Sequence, residues 1–168
     1  GYHVYLSDLD IARAEAGKDG IAKALGKLIA KEKMTQHDAD ALLGRIEPVG
    51  SYAPMADASL VIEAATERED IKRKIFEAVG AVLGAEAVLA SNTSSIPITR
   101  LAQAAPDPVR FIGVHFFNPV PVMGLIEIIR GLATSDATVD LVRRYGEALG
   151  KQLVFANDAP GFIVNRVL

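Results

Sequence analysis

Strand-like and helix-like segments alternate along almost the whole chain, and this alternation constrains the fold more than any other feature. The strand-like segments are short and apolar, whereas the segments between them repeat apolar residues every three or four positions. The predicted strands are 3–8, 60–65, 87–92, 110–117, 125–130 and 152–157, with a short strand and turn within 47–57. The predicted helices are 10–31, 35–45, 68–83, 98–104, 136–149 and a last one from 162. This order predicts an α/β domain with a doubly wound, largely parallel sheet.

Composition excludes several other classes of protein. The 168 residues are 50% hydrophobic, which is enough for one domain with a real core. A formal net charge of −3 argues against nucleic-acid partners. The absence of cysteine excludes disulfide scaffolds, thiol catalysis and Cys-based zinc sites. No apolar run approaches a membrane span and no signal peptide is evident, so we expect a soluble, cytoplasmic protein.

Asp8 closes the first predicted strand, where ligands bind in open α/β sheets. In a dinucleotide-binding unit, an acid at this position accepts hydrogen bonds from the ribose hydroxyls. The same residue could instead cap the helix 10–31. The sequence contains no G-x-G-x-x-G, which should precede Asp8. Either the first strand and glycine loop are missing from this chain, or the dinucleotide interpretation is wrong.

Further polar residues follow the next two strands. Ala64, Glu67 and Lys72 follow the strand 60–65, where a small residue would let a cofactor approach the backbone. Glu67 and Lys72 could instead simply belong to the start of the following helix. The residues alone favour this structural interpretation over a cofactor contact. The turn Asn92–Ser95 consists of amide and hydroxyl side chains directly after a buried strand. Its location favours a ligand, although an ordinary loop could have this composition.

His115 lies within an apolar strand, where a histidine is more often a core residue. Glu127 follows twelve positions later in a neighbouring predicted strand, so the two side chains could meet. A carboxylate beside an imidazole fixes its tautomer and stabilises its charged form, as a general acid/base requires. His3 and His37 lie far from this pattern, and we expect no metal site.

Several segments resemble, in order and spacing, the NAD-binding domain of the L-3-hydroxyacyl-CoA dehydrogenases, and especially the short-chain 3-hydroxybutyryl-CoA enzymes. The matching segments are 1–8, 61–67, ASNTSS at 90–95, HFFNPVPVM at 115–123 with Glu127 beyond it, and DAPGFIVNR at 158–166. The resemblance implies a Rossmann-like NAD-binding domain over 1–158 without its first strand and glycine loop. It also implies that 159–168 begin a C-terminal helical domain.

The same resemblance implies a role for each matching residue. His115 would be the catalytic acid/base and Glu127 its partner carboxylate. Ser94 would bond the substrate's 3-oxygen, and Asn165 would bond the substrate or the region of His115. Asp8 would hold the adenosine ribose of NAD. The remaining implied contacts are Ala64, Glu67, Lys72 and Asn92 in the cofactor groove and Lys31 at the phosphates of coenzyme A.

The implied reaction is NAD-dependent oxidation of (S)-3-hydroxyacyl-CoA to 3-ketoacyl-CoA, acetoacetyl-CoA being a product of this class. It belongs to fatty acid β-oxidation and butanoate metabolism, and the full-length enzyme would be a homodimer. The alternatives are a crystallin-like structural relative and a truncated domain that binds nucleotide weakly. Ser94, His115, Glu127 and Asn165 argue against the first alternative. The missing glycine loop supports the second alternative. Under that alternative we expect poor NAD binding and exposed sheet edges at strands 3–8 and 87–92.

Overall fold

The computed structural model describes residues 1–159 and Phe162. The chain divides into two compact units, Gly1–Ala56 and Asp57–Leu168. Each unit is built around its own parallel strand pairs.

The first unit contains two strands and two helices. They are β1 (Val4–Ser7), α1 (Ile11–Ile29), α2 (Gln36–Leu43) and β2 (Ile46–Val49). The strands pair in parallel, with Val4 opposite Ile46 and Ser7 opposite Val49. A 3-10 helix at Ala53–Asp57 follows.

Side-chain caps fix where the helices of the first unit begin. The Asp10 carboxylate accepts the Arg13 amide at 2.9 Å and caps α1, so the capping role considered for Asp8 belongs to Asp10. Thr35 accepts the Asp38 amide at 3.1 Å and caps α2, at the start of the predicted helix 35–45. Asp8 lies just beyond β1 and outside the helix.

The second unit contains a five-stranded sheet and its helices. Its elements are β3 (Leu60–Glu63), α3 (Glu69–Gly80), β4 (Val88–Ser91), α4 (Ile98–Leu101), β5 (Phe111–Phe116), β6 (Leu125–Arg130), α5 (Asp136–Ala148) and β7 (Gln152–Asn157). Two 3-10 helices lie at Ala102–Ala104 and Pro108–Arg110. The strand order is β3-β4-β5-β6-β7.

All neighbouring strands in this sheet are parallel except β5 and β6, which confirms the largely parallel α/β fold. The expected exposed edge at 87–92 is wrong, because β4 pairs with β3 on one side and with β5 on the other. Among the described strands of this sheet, the edges are β3 and β7. The sequence pattern identifies strands but not their order, which depends on long-range pairing.

The sheet buries apolar side chains on both faces. One cluster contains Val88, Ala90, Ile112, Val114, Ile126 and Ile128 with Val139 and Val142 of α5. Elsewhere Phe76 packs edge-on against Phe111 with ring centroids 5.0 Å apart. Within the described part of the chain, no helix combines the length and apolarity needed to cross a membrane.

Candidate active site

His115 and Glu127 face each other across the antiparallel pair β5–β6. Opposite residues in such a pair project to the same side of the sheet. His115 Nδ1 lies 2.7 Å from Glu127 Oε2, and the side chains are 9% and 0% exposed. The fold thus joins the imidazole and the carboxylate that the sequence placed on neighbouring strands.

Aromatic rings border the imidazole. The ring of Phe117 lies 4.6 Å from that of His115, and the ring of Phe162 lies 6.1 Å away, centroid to centroid. Phe162 is itself buried. An imidazole in these surroundings has little contact with water, which strengthens its electrostatic interaction with the carboxylate.

Glu67 accepts several hydrogen bonds from the polar turn Asn92–Ser95, which follows β4. Its Oε1 accepts hydrogen bonds from the Thr93 hydroxyl at 2.7 Å, from the Ser94 amide at 3.0 Å and from the Ser94 hydroxyl at 3.2 Å. The Ser95 amide and hydroxyl donate to the same oxygen at 3.1 and 2.9 Å. Glu67 therefore holds Ser94 in place. A residue predicted to contact the cofactor, Glu67, thus binds directly to a residue predicted to contact the substrate, Ser94.

These hydrogen bonds act on the charge of Glu67. Partial burial is the largest influence and opposes ionisation. Hydrogen bonds from Thr93, Ser95 and Ser94, together with the charge of Lys72, outweigh burial and lower the pKa of Glu67 below its usual range. The carboxylate is consequently ionised and acceptor-only over the neutral range.

Lys72 lies in the interior with its side chain 1% exposed. Its ammonium donates to Glu63 Oε2 at 2.6 Å, and the Ser91 hydroxyl donates to the same oxygen at 3.0 Å. Glu63 Oε1 accepts the Ala65 amide at 2.8 Å. The structure thus pairs Lys72 with an acid that the sequence analysis had not selected, and direct contact of Lys72 with a cofactor stays a prediction.

A sequence signal for Glu63 does exist. It is an acid at the end of an apolar strand, with a lysine nine residues later in the following helix. A charged group at such a position needs a partner, because burying an unpaired carboxylate is costly.

Asn92 joins the carboxyl ends of three strands. The backbone amide of Asn92 donates to the Glu63 carbonyl at 2.8 Å, and the side-chain Oδ1 accepts the backbone amide of Phe116 at 2.8 Å. Phe116 adjoins His115, so Asn92 links the turn that carries Ser94 to the strand that carries the histidine. Ala64, directly after β3, is exposed and presents little bulk to an approaching ligand.

The remaining predicted site residues are Asp8, Lys31 and Asn165. Asp8 and Lys31 are exposed residues of the first unit. Within the described residues, the Asp8 carboxylate accepts one hydrogen bond, from the Leu9 amide at 2.6 Å. Asn165 lies outside the described residues. No group of three or more His, Cys, Asp or Glu side chains in residues 1–159 is arranged to hold a metal.

Comparison with known proteins assigns the family. Residues 1–159 match the family model described as 3-hydroxyacyl-CoA dehydrogenase, NAD binding domain. The chain is 46% identical over its 168 residues to a 3-hydroxybutyryl-CoA dehydrogenase of Bradyrhizobium diazoefficiens, and it covers 57% of that protein.

Solved structures agree with the sequence match. The (S)-3-hydroxybutyryl-CoA dehydrogenase of Ralstonia eutropha is 45% identical with a TM-score of 0.95, over 98% of this chain and 58% of that one. The 3-hydroxybutyryl-CoA dehydrogenase of Escherichia coli K12 is 40% identical with a TM-score of 0.95, over 99% of this chain and 35% of that one. The chain therefore spans little more than half, or less, of these relatives' lengths, and it belongs to the 3-hydroxyacyl-CoA dehydrogenase NAD-binding domain family.

Proposed function

We propose that this protein oxidises (S)-3-hydroxyacyl-CoA to 3-ketoacyl-CoA with NAD, as a dehydrogenase of the 3-hydroxybutyryl-CoA type. The observation that carries the proposal is the 2.7 Å contact between His115 Nδ1 and the buried Glu127 carboxylate. The names of the related 3-hydroxybutyryl-CoA dehydrogenases support the choice of substrate.

His115 is the proposed acid/base. A carboxylate accepts from an N–H, so the pairing with Glu127 puts the proton of the neutral ring on Nδ1 and leaves Nε2 as the base. Nε2 takes the proton of the substrate's 3-hydroxyl during oxidation and returns a proton to the ketone oxygen during reduction. Glu127 keeps the ring oriented and stabilises the positive charge that proton transfer creates. Catalysis of this kind contributes roughly 10²- to 10⁴-fold.

Ser94 is proposed to bond the substrate's 3-oxygen, and Asn165 is proposed to bond the substrate or the region of His115. The Ser94 hydroxyl can both donate and accept, and Glu67 already fixes the turn in which it lies. A hydroxyl held in this way orients the reacting carbon without rearranging during the reaction.

The exposed acceptors fit the hydroxyl groups of a dinucleotide. Asp8 follows a parallel strand and is exposed, so its carboxylate can accept from the ribose of NAD. Glu67 is exposed and anionic, and the small Ala64 stands near it in sequence at the end of β3. When bound, NAD accepts the hydride that leaves the substrate. Lys31 is proposed to meet the phosphates of coenzyme A, and the active protein is proposed to be a homodimer.

The decisive experiment measures reduction of acetoacetyl-CoA by the protein, followed as loss of NADH absorbance. The proposal expects turnover in the wild type and a fall in kcat of at least about 10²-fold in His115→Gln. His37→Gln is the matched control, because His37 is exposed and has no role in the proposed site. Turnover near the wild-type rate in His115→Gln would remove the acid/base role.

A second measurement separates an enzyme from a domain that only binds nucleotide. NADH binding is titrated by its fluorescence in parallel with the turnover assay. Binding without turnover by the wild type would favour the non-catalytic alternative, and the absence of both would contradict the proposed function for this chain.

A further inference from the structure

Asp158, directly after β7, has a carboxylate that the proposed chemistry does not use. Its Oδ1 accepts the Ile98 amide at 2.6 Å and its Oδ2 accepts the Thr99 amide at 2.7 Å. The partners lie 60 and 59 residues away in sequence, so this is a tertiary anchor rather than a local turn. Hydrogen bonds from amides to an ionised carboxylate are among the stronger ones in proteins.

The first turn of α4, to which Asp158 is anchored, is seated on β5 and on the end of β6. Ile98 is completely buried, and a Cβ at Gly113 of β5 would lie 2.8 Å from its side chain. The Thr99 hydroxyl accepts the Leu132 amide at 2.9 Å. Because β5 and β6 carry His115 and Glu127, Asp158 is tied to the same rigid substructure as that pair.

The chain leads from this anchor to the imidazole. The Ala159 amide donates to the Asn157 carbonyl at 2.8 Å, and the Phe162 amide donates to the Ala159 carbonyl at 2.9 Å. Phe162 is 3% exposed and its ring lies 6.1 Å from that of His115. Its φ of +49° is uncommon for a residue with a side chain, so surrounding contacts must hold it there.

We propose that Asp158 is a positioning residue that keeps the ring of Phe162 against His115 and so limits access of water to the imidazole. The anchor fixes where the chain leaves β7, and the Ala159–Phe162 hydrogen bond carries that constraint to the ring. The contact itself does not depend on the reaction. Its catalytic meaning rests on the proposed function, in which His115 is the acid/base.

The test measures the accessibility of His115 without requiring turnover. Diethyl pyrocarbonate reacts with accessible unprotonated imidazole nitrogens, and mass spectrometry of peptides gives the rate at each histidine. The chain has three histidines, and the exposed His3 and His37 serve as internal references. The proposal expects His115 to react at least about tenfold faster in Asp158→Ala than in the wild type, and Asp158→Asn to lie between them, because one acceptor oxygen remains.

Two further variants show whether the effect passes through Phe162. Phe162→Ala should expose His115 to a similar extent, and adding Asp158→Ala to it should produce little further increase. Asp107→Ala is the matched control, because Asp107 also accepts a backbone amide, from Val109 at 2.9 Å, beside a 3-10 helix. Its His115 rate should remain that of the wild type.

Circular dichroism identifies the temperature range in which the wild type and every variant are folded. All His115 modification rates are compared within that range. An Asp158→Ala protein that is folded, less stable and unchanged in its His115 rate would overturn the proposal and leave Asp158 as a structural cap. Additive effects of Asp158→Ala and Phe162→Ala would also overturn it. Faster labelling of His115 in a protein without dehydrogenase activity would uphold the positioning contact while the proposed function fails.

Discussion

Among the described residues of the second unit, two buried pairs join an acid to a nitrogen base, and they differ in their contact with solvent. Glu63 and Lys72 are 2% and 1% exposed, whereas the His115 side chain retains 9% exposure beside the fully buried Glu127. A lysine ammonium is only a hydrogen-bond donor, whereas an imidazole paired through Nδ1 keeps a second ring nitrogen that can take up and release a proton. The enclosed pair suits structure and the histidine pair suits proton transfer, although both follow the same rule of burying a charge only with a partner.

The largest effect that would test this contrast is on stability. Lys72→Met removes the cation that pairs with the buried carboxyl group of Glu63, and we expect it to lower the free energy of unfolding by about 3–5 kcal/mol. The double variant Glu63→Gln/Lys72→Met removes both charges and should recover much of the loss. Urea denaturation followed by circular dichroism measures each value.

The exposed Lys74, on the same helix, provides the control Lys74→Met, which should change stability little. A Lys72→Met protein as stable as the wild type would show that the buried pair is not structural.

Glu127→Gln tests the other side of the contrast. An amide oxygen can still accept from the imidazole, but it carries no charge to stabilise the imidazolium. We expect kcat for acetoacetyl-CoA reduction to fall by about 10²-fold, with a smaller change in the KM for NADH. Glu77→Gln, at an exposed position of α3, is the control. Unchanged kcat in Glu127→Gln would leave the two pairs without a functional difference.

Exposed carboxylates extend the contrast, because they remain available to ligands. Asp8 should accept from a ribose 2′-hydroxyl and repel a 2′-phosphate, so kcat/KM with NAD should exceed that with NADP by at least about tenfold, or about 1.4 kcal/mol. Asp8→Asn should narrow this ratio, whereas Asp10→Asn, which alters the cap of α1, should not. Equal efficiency with both cofactors in the wild type would contradict the assignment of Asp8 to the ribose.

The smallest effect concerns Glu67. Its pKa is lower in the folded protein than in the unfolded chain, so its stabilising contribution is present above the ordinary glutamate pKa of about 4.3 and is lost as pH falls through the folded value. Since Glu67 is exposed, we expect less than about 1 kcal/mol. Unfolding free energies from pH 7 downward should fall slightly more steeply in the wild type than in Glu67→Gln. Identical slopes would contradict this.

Much of the candidate site could be predicted because its elements are locally encoded. The interval of twelve residues between His115 and Glu127 allows two strands joined by a short connection, and such strands pair readily. Thr35 caps α2 and Ser135 caps α5, each by accepting an amide three residues further along, which is a distance over which a sequence pattern can indicate a cap. Asp8 was harder to interpret, since a second acid at Asp10 competed for the capping role.

What the sequence alone determined is the alternation of strands and helices and the segments that identify the family. These depend on periodicity and hydrogen bonding within a few residues. Only the tertiary structure decided that Lys72 is buried against Glu63. The same holds for the hydrogen bonds from the turn around Ser94 to Glu67, and for the hydrogen bond from the Ile98 amide to Asp158. Such partners lie up to 60 residues apart. They meet only after strand order and register are set, because that pairing depends on how the whole unit packs rather than on any local pattern.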